Sequence, residues 1–255
     1  TKVDQAQLHL RHADDTVCIG QQSYLDINAM IAAATSRGCD AIHPGYGWLA
    51  ENPAFAAATE AANLVFIGPT ATTIADMADK AKARAIAASH GLDCVPGGQA
   101  LVTDLSRAKQ EAKRVGYPVL IKAAQGGGGR GIRKVDTESQ MKFAIAAAGA
   151  EAEANFGSAD LYLEKFLDRA RHIEVQVLGD GGGRAIHLGT RECSIQRLHQ
   201  KIIEEAPAAH IDQHLLNGIA EASARVTAAL SYRNAGTFEY LYQDGQFYFI
   251  EMNTR

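Results

Sequence analysis

Hydrophobic and polar positions along the first part of the chain alternate between two spacings. Apolar residues recur at helical spacing over 27–37 and give way to a short strand-like run at 41–43. Helical spacing returns after Asn52-Pro53, where an Asn N-cap followed by Pro in the first turn is a strong helix start. A short apolar run at 64–67 is closed by Gly68-Pro69, so this part reads as βαβ chain around a parallel sheet. A helix-rich stretch over 79–90 stops at Gly91, and Cys94-Val-Pro-Gly-Gly98 after it has linker composition, which sets a domain boundary. The pattern then predicts a helix over 104–115 with Gly116 at its C-cap, a strand at 119–123, a glycine loop and a strand at 132–135. Thr137-x-x-Gln140 is a capping box opening an Ala-rich helix to about 155.

Beyond Leu161 the period changes to two. Ile173, Val175 and Val177 alternate with His172, Glu174 and Gln176, so one face of this strand is packed and the other polar. The turn Asp180-Gly-Gly-Gly183 and a strand at 184–188 complete a hairpin. A helix over 213–230 separates it from a final hairpin, 237–242 with 247–253. No internal repeat is present.

A length of 255 residues corresponds to ~1.7 domains. With 47% apolar and 21% charged residues, disordered, collagenous and coiled-coil classes are excluded. The net charge of −4 argues against a dedicated nucleic-acid binder or anionic-membrane binder, although a local basic groove survives any average. Four cysteines lie far apart without a C-x-x-C pair, so no zinc ribbon or redox motif is expected and a reduced, intracellular setting is. No run approaches ~18 apolar residues, the length of a membrane span. The start Thr1-Lys2-Val3-Asp4 has no signal-peptide h-region, and the missing initiator Met points to a piece of a longer chain.

Gly126, Gly128 and Gly131 formally satisfy G-x-G-x-x-G, but a dinucleotide fingerprint must open a helix. Here Ile132-Arg-Lys-Val135 follows, so the loop joins two strands. Glycines there let backbone N–H groups close over a polyphosphate as a flap; the plainer alternative is a mobile hairpin tip. Lys122, inside the apolar strand before the loop, needs an anionic partner unless it faces solvent at an edge. Lys80, at a helix start where the dipole also favours anions, is a second phosphate candidate, though alone it reads as a solvated lysine.

Several motifs together carry a resemblance: His43-Pro-Gly-Tyr-Gly-Trp-Leu-Ala-Glu-Asn52, Ile121-Lys-Ala-Ala-Gln-Gly-Gly-Gly-Gly-Arg-Gly131, Arg171-His-Ile-Glu-Val-Gln176, Arg191-Glu-Cys-Ser-Ile-Gln-Arg-Leu-His-Gln-Lys201 and Phe247-Tyr-Phe-Ile-Glu-Met-Asn-Thr-Arg255. Over almost its whole length the chain resembles biotin carboxylase, an ATP-grasp enzyme that uses Mg-ATP to activate bicarbonate as carboxyphosphate and then carboxylates biotin on a carrier protein. The resemblance implies an α/β fold, α+β in part. Residues 1–78 are a partial N-terminal βαβ (pre-ATP-grasp) domain, 79–93 a connecting helix, 94–166 a mobile lid domain, and 167–255 part of the C-terminal ATP-grasp domain.

It also implies roles. Lys80 and Lys122 are phosphate lysines, and Gly126, Gly127, Gly128, Gly129, Arg130 and Gly131 form the lid loop. Glu164 and Lys165 form a hinge that reads adenine by backbone groups. His172, Gln196 and His199 belong to the nucleotide pocket. Glu239 and Glu251 are metal carboxylates for Mg²⁺ or Mn²⁺ with Asn253 beside them, and Lys201 and Arg255 contact bicarbonate or carboxyphosphate. On its own chemistry His172 could instead pack on the sheet's polar face, Gln196 and Lys201 could be solvated residues of a basic loop, and the His199 imidazole could act as a base. Cys193 has no neighbouring His or second Cys and reads as a packed residue.

Leu198 stands where the family has a basic residue, and the loop Cys18-Ile-Gly-Gln-Gln-Ser-Tyr24 is shorter than usual. The family's general base, a Glu in a Gln-Val-Glu-His run, and its biotin-site arginine are expected beyond Arg255. The implied partners are a biotin carboxyl carrier protein and carboxyltransferase subunits, in a homodimer or larger complex, with no nucleic acid and no membrane. The implied location is cytoplasmic, or mitochondrial matrix or plastid in a eukaryote. The setting is acyl-CoA carboxylation, as in the acetyl-CoA carboxylase of fatty acid biosynthesis, or pyruvate or urea carboxylation. Two other readings stay open: an ATP-grasp ligase of carbamoyl-phosphate type, and a non-catalytic nucleotide-binding module.

Glu239 and Glu251 can share a metal only if they face the same side of the last hairpin. A two-residue Asp244-Gly245 turn would pair Gln243 with Gln246, hence Glu239 with Ile250, and send Glu251 to the opposite face. A three-residue loop, 243–245 with Gly245 in a bulge, is therefore predicted.

Overall fold

A computed structural model describes residues 1–21, 24–102, 104–124, 131–198 and 200–255, with the side chains of 98–100 and 156 outside the description. The chain opens with 3₁₀ turns at Lys2–Asp4 and Leu8–Arg11, then α1 (Ile27–Ser36), capped by Asp26. β1 (Ala41–Ile42) is followed by a 3₁₀ turn at Trp48–Glu51 and α2 (Pro53–Ala61). The Asn52 side chain accepts from the Ala54 and Phe55 amides at 2.9 and 3.2 Å, as its position before Pro53 requires. β2 (Val65–Phe66) pairs in parallel with β1, the crossover the sequence anticipates.

Two helices follow where one was expected. α3 (Ala71–Ala78) buries Ile74 and Met77, and α4 (Lys80–Ser89) begins one residue later, with the Asp79 carboxylate accepting from the Lys82 amide. The end of the segment read as a linker, Gly97-Gly98, opens β3 (Gly97–Leu101). Gly97 makes that possible: its φ is +102°, and a Cβ there would lie 2.5 Å from the Leu163 carbonyl oxygen. α5 (Leu105–Val115), β4 (Val119–Ala123), β5 (Arg133–Val135), α6 (Met141–Phe156) and β6 (Leu161–Lys165) complete this region, and the capping box at Thr137 and Gln140 is present. Its sheet is antiparallel in the order β3-β6-β4-β5, and its Ile121 and Leu163 share a core with Ala108 of α5 and Met141 and Ala148 of α6.

β7 (Arg171–Asp180), β8 (Ala185–Arg197), β9 (Gln200–Glu205), α7 (Gln213–Ala229), β10 (Arg233–Gln243) and β11 (Gln246–Thr254) form the last region. Its antiparallel sheet runs β11-β10-β7-β8-β9. The expected basic loop is instead the β8-β9 hairpin, with Gln196 opposite Lys201. Isolated apolar residues in this polar stretch, such as Ile195 at 52% exposed, concealed its strand character. One face of the sheet buries Val175, Val177, Phe238, Tyr240, Phe249 and Met252 against Ala220 and Val226 of α7 and Ala83 and Ala87 of α4. Alternation turns the polar side chains to the opposite face.

The last hairpin departs from expectation at its turn. Gln243 pairs with Gln246, so the loop is the two-residue Asp244-Gly245, both residues at positive φ (52° and 82°). A bulge between Glu239 and Tyr240 leaves Ile250 as an extra residue, and Glu239 lies opposite Glu251. The shared face is therefore produced by the bulge and not by a three-residue loop.

Candidate nucleotide and metal site

A cavity of about 600 Å³ is lined from both antiparallel sheets. Leu120, Ile132, Phe166, Leu167, Leu241 and Ile250 supply apolar walls, and Lys80, Lys122, Lys201, Arg255, Glu239 and Glu251 supply charge. Such a slot suits a flat heterocycle carrying phosphates.

Local folding places each charged group. β4 alternates in burial, with Val119, Ile121 and Ala123 in the core, so Leu120 and Lys122 turn to the cavity. The anionic partner that Lys122 needs is Glu164 of β6, 1% exposed, which is also 3.4 Å from the Arg84 guanidinium. Lys80, first residue of α4, donates to Glu251 Oε2 at 2.8 Å. Lys165 Nζ donates to the Gly116 and Tyr117 carbonyls at 2.8 and 3.0 Å, which anchors its side chain on the α5–β4 connection.

On the larger sheet, Lys201 contacts Glu174 and lies 2.6 Å from Glu239. Gln196 donates to the Cys193 carbonyl at 2.8 Å, and its amide nitrogen lies 2.9 Å from His172 Nδ1. His172 Nε2 lies 3.0 Å from Glu239. Burial pushes the Glu239 carboxyl up, but His172 and Lys201 outweigh it and hold the pKa at about 2. Burial likewise opposes the charge on Lys201, and Glu239 and Glu174 outweigh it, raising its pKa. Asn253 donates to Glu239, and Arg255 pairs with Glu51 of the Trp48–Glu51 turn. Burial pushes the Cys193 thiol up to about 12, which agrees with its reading as a packed residue.

Glu239 and Glu251, opposed on one face with Asn253 two residues on, form a hard oxygen donor set that fits Mg²⁺ or Mn²⁺. Lys80 and Lys201 neutralise these carboxylates. His172, Glu174 and Glu239 also bring ligand atoms within 4.8 Å of one another, and the Lys201 ammonium sits among them. Sequence reasoning missed two participants. Glu174, 2% exposed, joins Lys201, His172 and Arg191, and its signal was its place on the polar face between His172 and Gln176. Arg84, buried on a helix of alanines, had none. Gly126, Gly127, Gly128, Gly129, Arg130 and His199 lie outside the described residues; Gly131 is described, at φ +69°. Leu198 stands at the β8-β9 turn, 91% exposed.

Two antiparallel sheets gripping one lysine-lined cavity, with opposed carboxylates on the larger sheet, define an ATP-grasp protein. Residues 79–255 match the family model for the carbamoyl-phosphate synthase L chain, ATP binding domain, and residues 1–74 match that for the biotin carboxylase N-terminal domain. Biotin carboxylase of Pseudomonas aeruginosa is 51% identical over 99% of this chain and 57% of its own length. The crystal structure of a Campylobacter jejuni biotin carboxylase complex with βγ-ATP superposes with a TM-score of 0.96, at 44% identity over 100% of this chain and 58% of that one. The biotin carboxylase domain dimer of Hydrogenobacter thermophilus 2-oxoglutarate carboxylase, in complex with MgADP, ADP and bicarbonate, gives 0.95 at 40% identity, covering 100% of this chain and 57% of that one. The chain belongs to the biotin carboxylase family. It spans less than three fifths of the length of the curated relatives it matches.

Proposed function

We propose that this chain is the nucleotide- and metal-binding part of a biotin carboxylase, in which ATP, Mg²⁺ or Mn²⁺ and bicarbonate carboxylate biotin on a carrier protein. The observation that carries the reading is the cavity itself, with Lys80, Lys122, Lys201 and Arg255 facing Glu239 and Glu251. Lys122 and Lys80 neutralise the phosphates, and Lys201 and Arg255 hold bicarbonate. Glu239, Glu251 and Asn253 would hold the metal, which when bound draws charge from the phosphate oxygens. An oxygen of bicarbonate attacks the γ-phosphorus, the bond to the bridging oxygen breaks, and ADP leaves with that electron pair, giving carboxyphosphate. A ureido nitrogen of biotin then takes the carboxyl group, releasing phosphate and a proton. No proton abstraction is assigned to residues 1–255.

On this reading 1–78 is the partial N-terminal domain, 79–93 the connector, 94–166 a lid hinged at Pro96-Gly97-Gly98 and after Lys165, and 167–255 the metal- and bicarbonate-bearing part. Partners are a biotin carboxyl carrier, carboxyltransferase subunits and a second copy. The bacterial relatives support a cytoplasmic location. Among the described residues no helix is long and apolar enough to cross a membrane. The match of 1–74 to the biotin carboxylase N-terminal domain favours this reading over the carbamoyl-phosphate type. ATP hydrolysis by the complete protein tests it: stimulation by free biotin is expected, and stimulation by ammonia instead would overturn it.

A further inference from the structure

One buried cation has no part in the chemistry above. Arg84 of α4 is 7% exposed. Its Nη2 donates to the Val95 carbonyl at 2.7 Å and the Gly97 carbonyl at 2.9 Å, the two ends of the turn into β3. Its Nη1 lies 3.4 Å from Glu164 Oε2, while Lys122 contacts Oε1 of the same carboxylate. Glu164 is 1% exposed, so it is shared between two cations away from water.

That sharing matters when Lys122 turns to a nucleotide. A buried carboxylate cannot be left without a counter-charge, and removing one member of a buried pair is strongly unfavourable. With Arg84 in place, Glu164 keeps a cation after Lys122 leaves. Without Arg84, Lys122 is the counter-charge that remains among the described residues, and it stays pinned to Glu164.

We propose that Arg84 is a positioning residue that frees Lys122 for the nucleotide by holding Glu164. The same guanidinium fixes the turn into β3 through the Val95 and Gly97 carbonyls, so the release of Lys122 and the placement of that turn depend on one side chain. The proposal rests on Lys122 binding phosphate, and its test separates the two ideas. MgATP affinity is measured by calorimetry on the complete protein and on the variants Lys122→Ala, Arg84→Met, Glu164→Gln and Arg84→Met/Glu164→Gln.

Arg84→Met is expected to weaken binding about tenfold or more, equivalent to ~1.4 kcal/mol. Adding Glu164→Gln should restore most of it, because a neutral amide makes no claim on Lys122. A purely structural role for Arg84 predicts no such rescue. Glu164→Gln alone should bind more tightly than the parent, which keeps the test alive if Arg84→Met does not fold. Parent-like affinity of Arg84→Met, a double variant no better than the single, or unchanged or weaker binding by Glu164→Gln overturns the role of Arg84. Parent-like affinity of Lys122→Ala overturns the phosphate role of Lys122 and the proposal with it.

Discussion

Replacing Lys122 by Ala removes a cation that is 14% exposed beside a fully buried carboxylate. A charge-assisted contact to phosphate contributes roughly 1.5 to 3 kcal/mol, so MgATP affinity should fall at least ~tenfold. Calorimetric titration reads this directly, and unchanged affinity would remove Lys122 from the phosphate site. Lys122 was legible in the sequence because a lysine between apolar strand residues demands an anion. Glu164 as that anion was not, since β6 pairs with β4 only in the fold. Cys193 gives a second prediction. Its thiol, ordinarily near 9, is held at about 12, so it stays protonated and unreactive at pH 8, while the exposed Cys18 and Cys39 alkylate. Because the unfolded thiol ionises from about 9 and the folded one only near 12, Cys193 makes the fold less stable as pH rises through that window. Peptide mapping after iodoacetamide at pH 8 should find Cys193 modified only once the chain is unfolded.

The final hairpin shows how an element can reach a foreseen arrangement by an unforeseen route. Strict alternation with a two-residue turn would have sent Glu251 into the core face. The bulge instead places Ile250 and Glu251 both toward the cavity and returns Met252, 4% exposed, to the core beside Phe249. The spacing of three between Phe249 and Met252 was the available signal, and a period-two template reads across it. Because the bulge and not the turn sets the site face, Gly245→Ala should cost stability without moving the carboxylates. Gly245 has φ +82° and open space around its Cβ position, so strain alone acts, about 1 kcal/mol. Thermal unfolding should register that loss while MgATP affinity stays within about twofold; a large affinity loss would mean that the turn fixes the register of Glu251. β3 and the β8-β9 hairpin escaped sequence reading for a related reason: glycine at the first and polar residues along the second mask strands that tertiary pairing creates.

At the scale of the molecule, the fold was legible in outline because the period of the chain agreed with the elements over most of its length, the β8-β9 hairpin excepted, and the motifs together resembled one family. Period and spacing alone did not assemble the cavity, since it depends on two separate sheets meeting around residues distant in sequence; the resemblance named Lys80, Lys122, Lys201, Glu239, Glu251 and Arg255 together, and these residues line it. Arg255 and Glu51, and Arg233 and Glu60 at 2.9 Å, tie the first region to the last across the molecule. Residues 1–255 alone are expected to bind ATP weakly and not to carboxylate biotin, because no general base is assigned among them and its loss typically costs ~10² to 10⁴ in rate. Incubating them with ATP, Mg²⁺, bicarbonate and biotin should release no biotin-dependent phosphate, and release at the rate of the complete protein would show that a base lies within this segment. The most direct test of the central reading follows labelled carbon from bicarbonate in the complete protein. Label should enter free biotin only when ATP and Mg²⁺ are both present, and the Lys122→Ala variant should need a higher ATP concentration for it. ATP consumed without label reaching biotin, or label entering biotin without ATP, would contradict the account.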